Sequence, residues 1–157
     1  MSDNVKAARG GENEYDFDFR DWPFYWIARV DRKYHNVLER VLAHISLDIP
    51  SWRVLMILHS KSSASVSEIA DHAIVKLSTM TKIIQRMEAD ELVASGPSEL
   101  DRRVTMVTIT AKGEQTGRQA WIESAKIKDR VFADLSTNDR DTLVRLLRHL
   151  SDELKRF

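Results

Sequence analysis

Apolar residues recur at steps of three and four in several segments of this chain, and one stretch between these segments has a different pattern, typical of strands. The first helical stripe follows Trp22, and a stripe of leucines lies near the carboxyl terminus. Between them, residues 104–110 are rich in Val, Thr and Ile, which is typical of a strand, and residues 92–94 read as a shorter strand. Gly96-Pro97-Ser98 is predicted as the turn material of this pair. The order predicts a mainly α-helical chain with one small β-hairpin.

Several helix starts can be placed from their first residues. Pro50 suits a first helical turn, so a second helix is predicted there. Ser65 and Glu68 match a capping box, in which the two side chains satisfy amide groups that a helix start leaves free. A short helix is predicted over residues 66–72, and residues 62–63 are predicted as a loop before it. Later helix starts with capping side chains occur at Thr110 and Ser136.

The balance of charge limits the classes of function. Lys and Arg number 24 and Asp and Glu number 24, so the chain has no net charge with which to coat nucleic acid. The charge is nevertheless segregated, because residues 12–21 carry five acids whereas residues 76–86 carry three bases and no acid. We predict a flexible acidic arm over residues 1–21 and a local basic surface over residues 76–86.

Metal binding, catalysis and membrane insertion lack their usual sequence patterns. The chain has no cysteine, and none of its five histidines lies four residues from another. Neither a glycine-rich phosphate loop nor a nucleophile elbow is present. No apolar run could cross a bilayer, and no secretory signal is visible at the start. We predict a cytoplasmic protein that is not an enzyme and has no metal site, no catalytic residue and no cofactor.

The basic segment combines a hidden apolar face with a polar face that suits DNA. Its apolar residues, Met80, Ile83, Ile84 and Met87, form one helical stripe. The polar residues beside this stripe are the candidate DNA contacts Lys76, Ser78, Thr79, Thr81, Lys82, Gln85 and Arg86. Gln pairs with adenine and Lys or Arg with guanine, whereas hydroxyl groups more often hold phosphates, so Lys82 and Gln85 are predicted to contact bases. A solvated helix face without a specific partner is the alternative.

The tip of the predicted hairpin carries a second candidate contact with DNA. Asp101-Arg102-Arg103 places two cations on a projecting turn. An arginine on a hairpin can enter a narrow minor groove, where the negative potential is enhanced. Arg102 or Arg103 is predicted in that role, with Asp101 holding the hairpin in shape. A solvated charged turn is the alternative.

Aromatic residues cluster at residues 21–29 and indicate a candidate ligand site. A pocket for an aromatic acid needs apolar walls with a cation or a hydroxyl group. The candidate ligand-binding residues are Tyr25, Arg29, His35 and Trp52, and Trp121 is expected to join them in space. An aromatic stripe at helical spacing is also typical of a core or an interface between subunits, so this alternative stays open.

Taken in order, these segments resemble the MarR family of winged-helix transcription regulators. The resemblance rests on residues 67–70, 78–88, 92–93, 101–103 and 109–113, and on Trp52 in the second helix. It implies a winged helix-turn-helix DNA-binding lobe over residues 49–110, flanked by helical dimerisation regions over residues 22–48 and 111–157. It further implies a homodimeric repressor that binds double-stranded DNA at a near-palindromic operator. A small ligand is expected to weaken this binding.

The aromatic segment is similar to that of family members that control the breakdown of hydroxycinnamates, which implies a small aromatic ligand or its CoA thioester. Two positions depart from the family pattern. Glu91 stands where members often have Gly, and residues 75–77 stand where members often have a capping Asp, which places Lys76 close to a phosphate. A winged-helix module that binds a protein partner and no specific DNA is the alternative function.

Overall fold

The computed structural model describes residues 17–157, which form six α-helices and three β-strands. The elements are Pro23–Ala43 (α1), Ile49–Lys61 (α2), Ser63–Ser65 (β1), Val66–Ala73 (α3), Leu77–Ala89 (α4), Val93–Pro97 (β2), Thr105–Ile109 (β3), Ala111–Val131 (α5) and Thr137–Leu154 (α6). The prediction of a mainly α-helical chain with a small β-hairpin is confirmed. Among the described residues, no helix is long and apolar enough to cross a bilayer.

The chain divides into two compact units at the boundary between Tyr34 and His35. In the first unit, Phe19–Asp21 forms one turn of 3-10 helix, in which the Asp18 carboxylate accepts a hydrogen bond from the Arg20 N–H group at 2.9 Å. Regular structure thus begins at Phe19, whereas the sequence predicts that it begins near Trp22. Most of the predicted acidic arm, residues 1–16, lies outside the described residues.

The core of the second unit is formed where α2, α3 and α4 meet the sheet. Side chains from each of these elements are fully buried, namely Val54, Leu58, Ile69, Met80, Met87 and Val107. Leu38 and Leu42 from the last turns of α1 belong to the same cluster. The stripe predicted for residues 80–87 is therefore a core face, and it fixes α4 against the rest of the unit.

The sheet has three antiparallel strands in the order β1-β3-β2, and it corrects two predictions. Residues 62–63 are predicted as a loop, but Ser63 starts β1 and pairs with Thr108 of β3. Gly96 and Pro97 are predicted in the turn, but they extend β2, where Pro97 pairs with Thr105. Proline is tolerated there because β2 is an edge strand. The strand β2 is longer than predicted and β3 is shorter, and the tip of the wing comprises residues 98–104.

Both later helix starts carry the predicted caps. The Thr110 hydroxyl accepts a hydrogen bond from the Gly113 N–H group at 3.0 Å. A side chain at Gly113 has no room, because its Cβ would lie 1.9 Å from the carbonyl oxygen of Leu92. Ser136 and Asp139 form a reciprocal capping box at the start of α6. These caps place α5 directly after β3 and separate it from α6 by a short loop.

The last helix contrasts with the core. No residue of α6 is buried within the chain. Its predicted stripe is present, but the leucines at positions 143, 146, 147 and 154 are 39–55% exposed. A row of exposed leucines on one face of a helix indicates a surface that another surface covers.

Candidate nucleic-acid interface

The helix-turn-helix consists of α3 and α4 and begins at a serine cap. The Ser65 hydroxyl accepts a hydrogen bond from the Glu68 N–H group at 3.2 Å, so the serine half of the predicted capping box is confirmed. The Glu68 carboxylate forms an ion pair with Lys61 at the end of α2. A hydrogen bond from Lys61 holds the pKa of the Glu68 carboxyl below its ordinary value. The start of α3 is thus fixed both by its own cap and by α2.

The turn between the two helices leaves the start of α4 without a side-chain cap. Ile74 ends α3 in the left-handed region with φ at 57°, and the Arg53 guanidinium donates to the Ala73 carbonyl oxygen at 3.0 Å. Lys76 occupies the N-cap position of α4, and no side chain accepts a hydrogen bond from the first amide groups of the helix. Since these groups carry partial positive charge, an uncapped start beside a lysine favours a nearby anion.

The polar face of α4 points away from the core, as the sequence predicts. Met80, Ile83, Ile84 and Met87 are buried, whereas all seven candidate residues from Lys76 to Arg86 are exposed. Within residues 17–157, five of these side chains form no hydrogen bond or ion pair, namely Lys76, Ser78, Thr79, Lys82 and Gln85. The Thr81 hydroxyl donates to the Leu77 carbonyl oxygen at 3.0 Å, so only its lone pairs are available to a partner.

The Arg86 side chain forms an ion pair and a hydrogen bond with residues at the start of α2. Its Nη2 atom lies 2.5 Å from Oδ2 of Asp48 and 3.0 Å from the Ser51 hydroxyl. Asp48 also caps α2 by accepting a hydrogen bond from the Ser51 N–H group at 2.9 Å. Burial alone raises the pKa of the Asp48 carboxyl, but hydrogen bonds from Ser51 and the charge of Arg86 together lower it below its ordinary value. Asp48 could not be identified from the sequence as the partner of Arg86, because the two residues lie far apart along the chain.

The wing tip is held by the acid that the sequence analysis assigned to it. Asp101 accepts a hydrogen bond from the Arg103 N–H group at 3.0 Å and forms a two-point ion pair with its guanidinium at 3.0–3.1 Å. Hydrogen bonds from Arg103 lower the pKa of the Asp101 carboxyl. The Arg103 side chain remains 90% exposed. Arg102 is exposed and has no side-chain partner in the described part of the chain.

A groove of about 410 Å³ runs between the start of α3, the outer face of α4 and the wing. Gln85 and Thr81 border it from α4, and Arg103 borders it from the wing. Leu77, which the sequence analysis passed over, also borders this groove and is 53% exposed. The structure therefore brings two of the seven α4 candidates, Thr81 and Gln85, and one wing arginine to the same concave surface, whereas the other five α4 candidates and Arg102 do not border it.

The first departure from the family pattern leaves the turn geometry intact. Glu91 joins α4 to β2 with φ at 60°, which is the left-handed region that favours glycine. The turn is closed by a hydrogen bond from the Leu92 N–H group to the Met87 carbonyl oxygen at 2.9 Å. The Glu91 carboxylate lies 3.2 Å from Nζ of Lys112. A strained glutamate thus occupies a position that a glycine fills without strain.

The ligand candidates in the first unit contact each other. Arg29 donates a hydrogen bond to the Tyr25 hydroxyl at 3.1 Å, and its guanidinium carbon lies 5.3 Å from the centre of the Tyr25 ring. Both residues lie on α1, one helical turn apart. A phenol and a guanidinium are thus held side by side on an aromatic segment.

The ligand candidates in the second unit have different surroundings. His35 Nε2 lies 3.0 Å from Nη2 of Arg53. Trp52 is buried, and the centre of its ring lies 6.3 Å from that of Trp121, so of the contacts predicted for Trp121 the structure shows the one with Trp52. The two tryptophans border a cavity of about 320 Å³ between α2 and α5, and its charged or titratable lining residues are His59, Glu114 and Arg118. Arg118 could not be identified from the sequence, since a lone exposed arginine carries no distinguishing pattern.

The comparisons with known proteins agree with this geometry. A family model described as the MarR family matches residues 47–105. The HTH-type transcriptional repressor IacR of Pseudomonas putida is 43% identical over 148 residues, which cover 91% of this chain and 89% of that protein. The chain belongs to the MarR family. The transcriptional activatory protein BadR of Rhodopseudomonas palustris is 31% identical over 142 residues, covering 85% of this MarR-family chain and 79% of BadR.

Solved structures share the fold of this MarR-family chain. BpsR of Bordetella bronchiseptica, whose DNA binding is regulated by 6-hydroxynicotinic acid, has a TM-score of 0.76 at 22% identity and covers 87% of this chain and 97% of its own. A mutant of E. coli MarR complexed with operator DNA has a TM-score of 0.71 at 20% identity, with coverages of 81% and 91%. The winged helix-turn-helix fold is thereby confirmed.

Proposed function

We propose that this chain is a sequence-specific DNA-binding repressor that acts as a cytoplasmic homodimer and leaves a near-palindromic operator when a small aromatic ligand, or its CoA thioester, binds. The observation that carries the DNA-binding part is the exposed face of α4. Lys82 and Gln85 extend from a helix whose opposite face is buried, and neither has a partner within residues 17–157. A recognition helix needs such long polar groups to reach base edges in the major groove.

The other candidate contacts take roles that match their positions. Hydroxyl groups at Ser78 and Thr79 and the ammonium of Lys76 are proposed to hold phosphates. The Thr81 hydroxyl, whose hydrogen is bonded to the Leu77 carbonyl oxygen, is proposed instead to accept a hydrogen bond from a base amino group. Arg102 or Arg103 is proposed to enter the minor groove from the wing, and both are proposed DNA contacts. Arg86 keeps a place among the proposed DNA contacts, because Asp48 and Ser51 engage only its Nη2 atom.

Exposed apolar surface supports the proposal of a homodimer and the assignment of its dimerisation regions. The leucine face of α6 has no cover within the described chain, and isologous contact with a second copy buries such a face on both subunits. We assign dimerisation to residues 22–48 and 111–157 and DNA binding to residues 49–110. Two recognition helices would then lie about 34 Å apart, which is one turn of DNA.

The cavity between α2 and α5 supports the proposal that a small aromatic ligand binds this chain. Its tryptophan walls suit an aromatic ring, and the Arg118 guanidinium suits a carboxylate. The regulation of BpsR by an aromatic acid favours this class of ligand. Trp52 is therefore proposed as a ligand contact in this cavity, and Tyr25, Arg29 and His35 remain candidate contacts. A ligand that prefers one conformation by about 1–3 kcal/mol is sufficient to release DNA.

Selection of bound duplexes from a random pool by the purified protein tests the proposal. The expected result is a two-fold-related motif whose affinity falls steeply with added salt, because phosphate contacts release counterions. Lys82→Ala should weaken binding to that motif about tenfold. Lys155→Ala, which removes an exposed lysine outside the lobe, is the matched control and should bind as the wild type does. No enrichment by a folded protein contradicts DNA binding and favours a protein partner.

Displacement of that operator duplex tests the ligand. A series of aromatic acids and their CoA thioesters is added to the complex, and free DNA is measured. Release of DNA by a compound that also quenches the tryptophan fluorescence of the wild type supports the cavity as the ligand site. Arg118→Ala should then lower the affinity for an aromatic acid. Release that is identical in Arg118→Ala contradicts the proposed carboxylate contact.

A further inference from the structure

Leu77 is an exposed apolar residue on the polar face of the recognition helix. It is the first residue of α4, and 53% of its side chain is accessible. Steps of four residues place Leu77, Thr81 and Gln85 in one row along the helix, and all three border the groove next to the wing. An isobutyl group thus stands at the start of a row that otherwise presents hydrogen-bonding groups.

The fold does not require a leucine at this position. The buried side of α4 consists of Met80, Ile83, Ile84 and Met87, and Leu77 is not part of that stripe. Alanine is a better helix former than leucine, and a half-exposed side chain gains little from burial. The position of Leu77 is therefore better explained by what the groove receives than by what the core needs.

The chemistry of base edges limits what Leu77 can recognise. An isobutyl group neither donates nor accepts a hydrogen bond, so it distinguishes bases only through apolar contact. The apolar group that a base pair presents in the major groove is the C5-methyl group of thymine. Residues at the amino-terminal end of a recognition helix reach base edges, and the hydrogen bond from Thr81 to the Leu77 carbonyl oxygen orders this first turn.

We infer that Leu77 is a specificity-determining residue that contacts a thymine C5-methyl group in the major groove of the operator. The inference rests on the proposed DNA-binding function. Leu77 therefore adds apolar recognition of a thymine to the base contacts proposed for Gln85 and Lys82. Removal of that methyl group should weaken binding about fourfold at each thymine contacted, since one buried methyl-sized group contributes about that factor.

Deoxyuridine isolates this contact, because it differs from thymidine only by the missing methyl group and keeps the same base pair. The operator selected by the wild type is prepared with each thymine replaced in turn by deoxyuridine, and affinities are measured at fixed salt. At one thymine of each half-site, replacement by deoxyuridine should lower the affinity of the wild type about fourfold. Leu77→Ala should bind the thymine duplex and that deoxyuridine duplex equally well. Leu77→Met, which keeps an apolar side chain, should retain the difference.

Leu100→Ala is the matched control, because Leu100 is 98% exposed at the wing tip and away from α4. Whatever its overall affinity, this variant should keep the wild-type preference for the thymine methyl group. A wild type that binds every deoxyuridine duplex as tightly as the parent, an operator without thymine, or a Leu77→Ala variant that keeps the preference overturns the inference alone. A wild type that selects no duplex overturns the proposed function and the inference together.

Discussion

Two amphipathic helices of this chain, α4 and α6, differ in how their apolar faces are covered. In α4, the apolar stripe is buried by other parts of the same chain. In α6, no residue is buried, and four leucines are 39–55% exposed. The unpartnered face of α4 is polar, whereas that of α6 is apolar. Helical spacing thus indicates which side of a helix is apolar, but it does not indicate which surface covers that side.

The difference assigns the two helices different sources of stability. The position of α4 depends on contacts within one chain, so its stabilisation should not depend on protein concentration. The apolar face of α6 gains burial only from another surface, so its stabilisation should follow mass action. Variants in the two helices can separate these two behaviours.

Removal of a buried side chain from α4 should have the largest effect. Met87 is fully buried, and Met87→Ala should lower the free energy of unfolding by about 2–5 kcal/mol, through lost burial and the cavity left behind. Denaturant unfolding at two protein concentrations measures the change, which should be the same at both. A change that grows on dilution would mean that Met87 acts through association, and the contrast with α6 would fail.

A charge in the leucine row of α6 should have the next largest effect. Leu146 is 46% exposed in the chain, and Leu146→Glu should raise the dissociation constant of the proposed dimer about tenfold, which corresponds to about 1.4 kcal/mol. Sedimentation at several concentrations measures it, while circular dichroism should still report folded helices. Arg145→Glu places the same carboxylate on the opposite face of α6 and is the control. Equal dissociation of both variants, or of neither, would contradict an interface on the leucine row.

The ion pair that holds α4 to α2 should have a smaller effect that depends on pH. Asp48→Asn keeps a capping side chain but removes the charge, so at pH 7 the free energy of unfolding should fall by about 0.5–1 kcal/mol, as for a half-exposed pair. The folded pKa of Asp48 lies below its ordinary value of 3.8. The stabilisation is therefore fully present above that value and is lost as the pH falls below it.

Unfolding of the wild type and Asp48→Asn from pH 7 down to pH 3 tests this prediction, and the two stabilities should converge below the ordinary pKa. Asp134→Asn is the control, because Asp134 is exposed and forms no ion pair within residues 17–157. A difference between wild type and Asp48→Asn that stays constant over the whole range would show that the charge of Asp48 does not hold α4.

Features that depend on near neighbours in the sequence could be predicted. The caps at Ser65 and Thr110 and the role of Asp101 at the wing tip each involve residues two or three positions apart, and the structure confirms them. The buried stripe of α4 follows from periodicity alone. Local sequence thus predicted the helices and the hairpin, because short-range hydrogen bonds and one apolar face determine them.

Features that depend on distant parts of the chain could not be predicted. The strand β1 lacks β-branched residues and forms because β3 offers an edge to pair with. Pro97 reads as a turn residue until the sheet order shows that its strand lies at an edge. The partner of Arg86 is 38 residues away, and Leu77 resembles a core residue until its exposure is known.

The smallest predicted effect concerns the residue that joins α4 to the wing. Glu91→Gly should raise the free energy of unfolding by about 0.5 kcal/mol, because relief of the left-handed strain exceeds the entropy cost of glycine and the loss of the exposed pair with Lys112. Glu91→Ala removes the same pair but keeps the strain, so it should be less stable than the wild type. Denaturant unfolding should therefore rank glycine above glutamate and alanine last, equally at high and low protein concentration, since this turn lies wholly within the lobe. An alanine variant as stable as the glycine variant would mean that the turn is not strained, and a ranking that changes with concentration would place it in the interface between subunits.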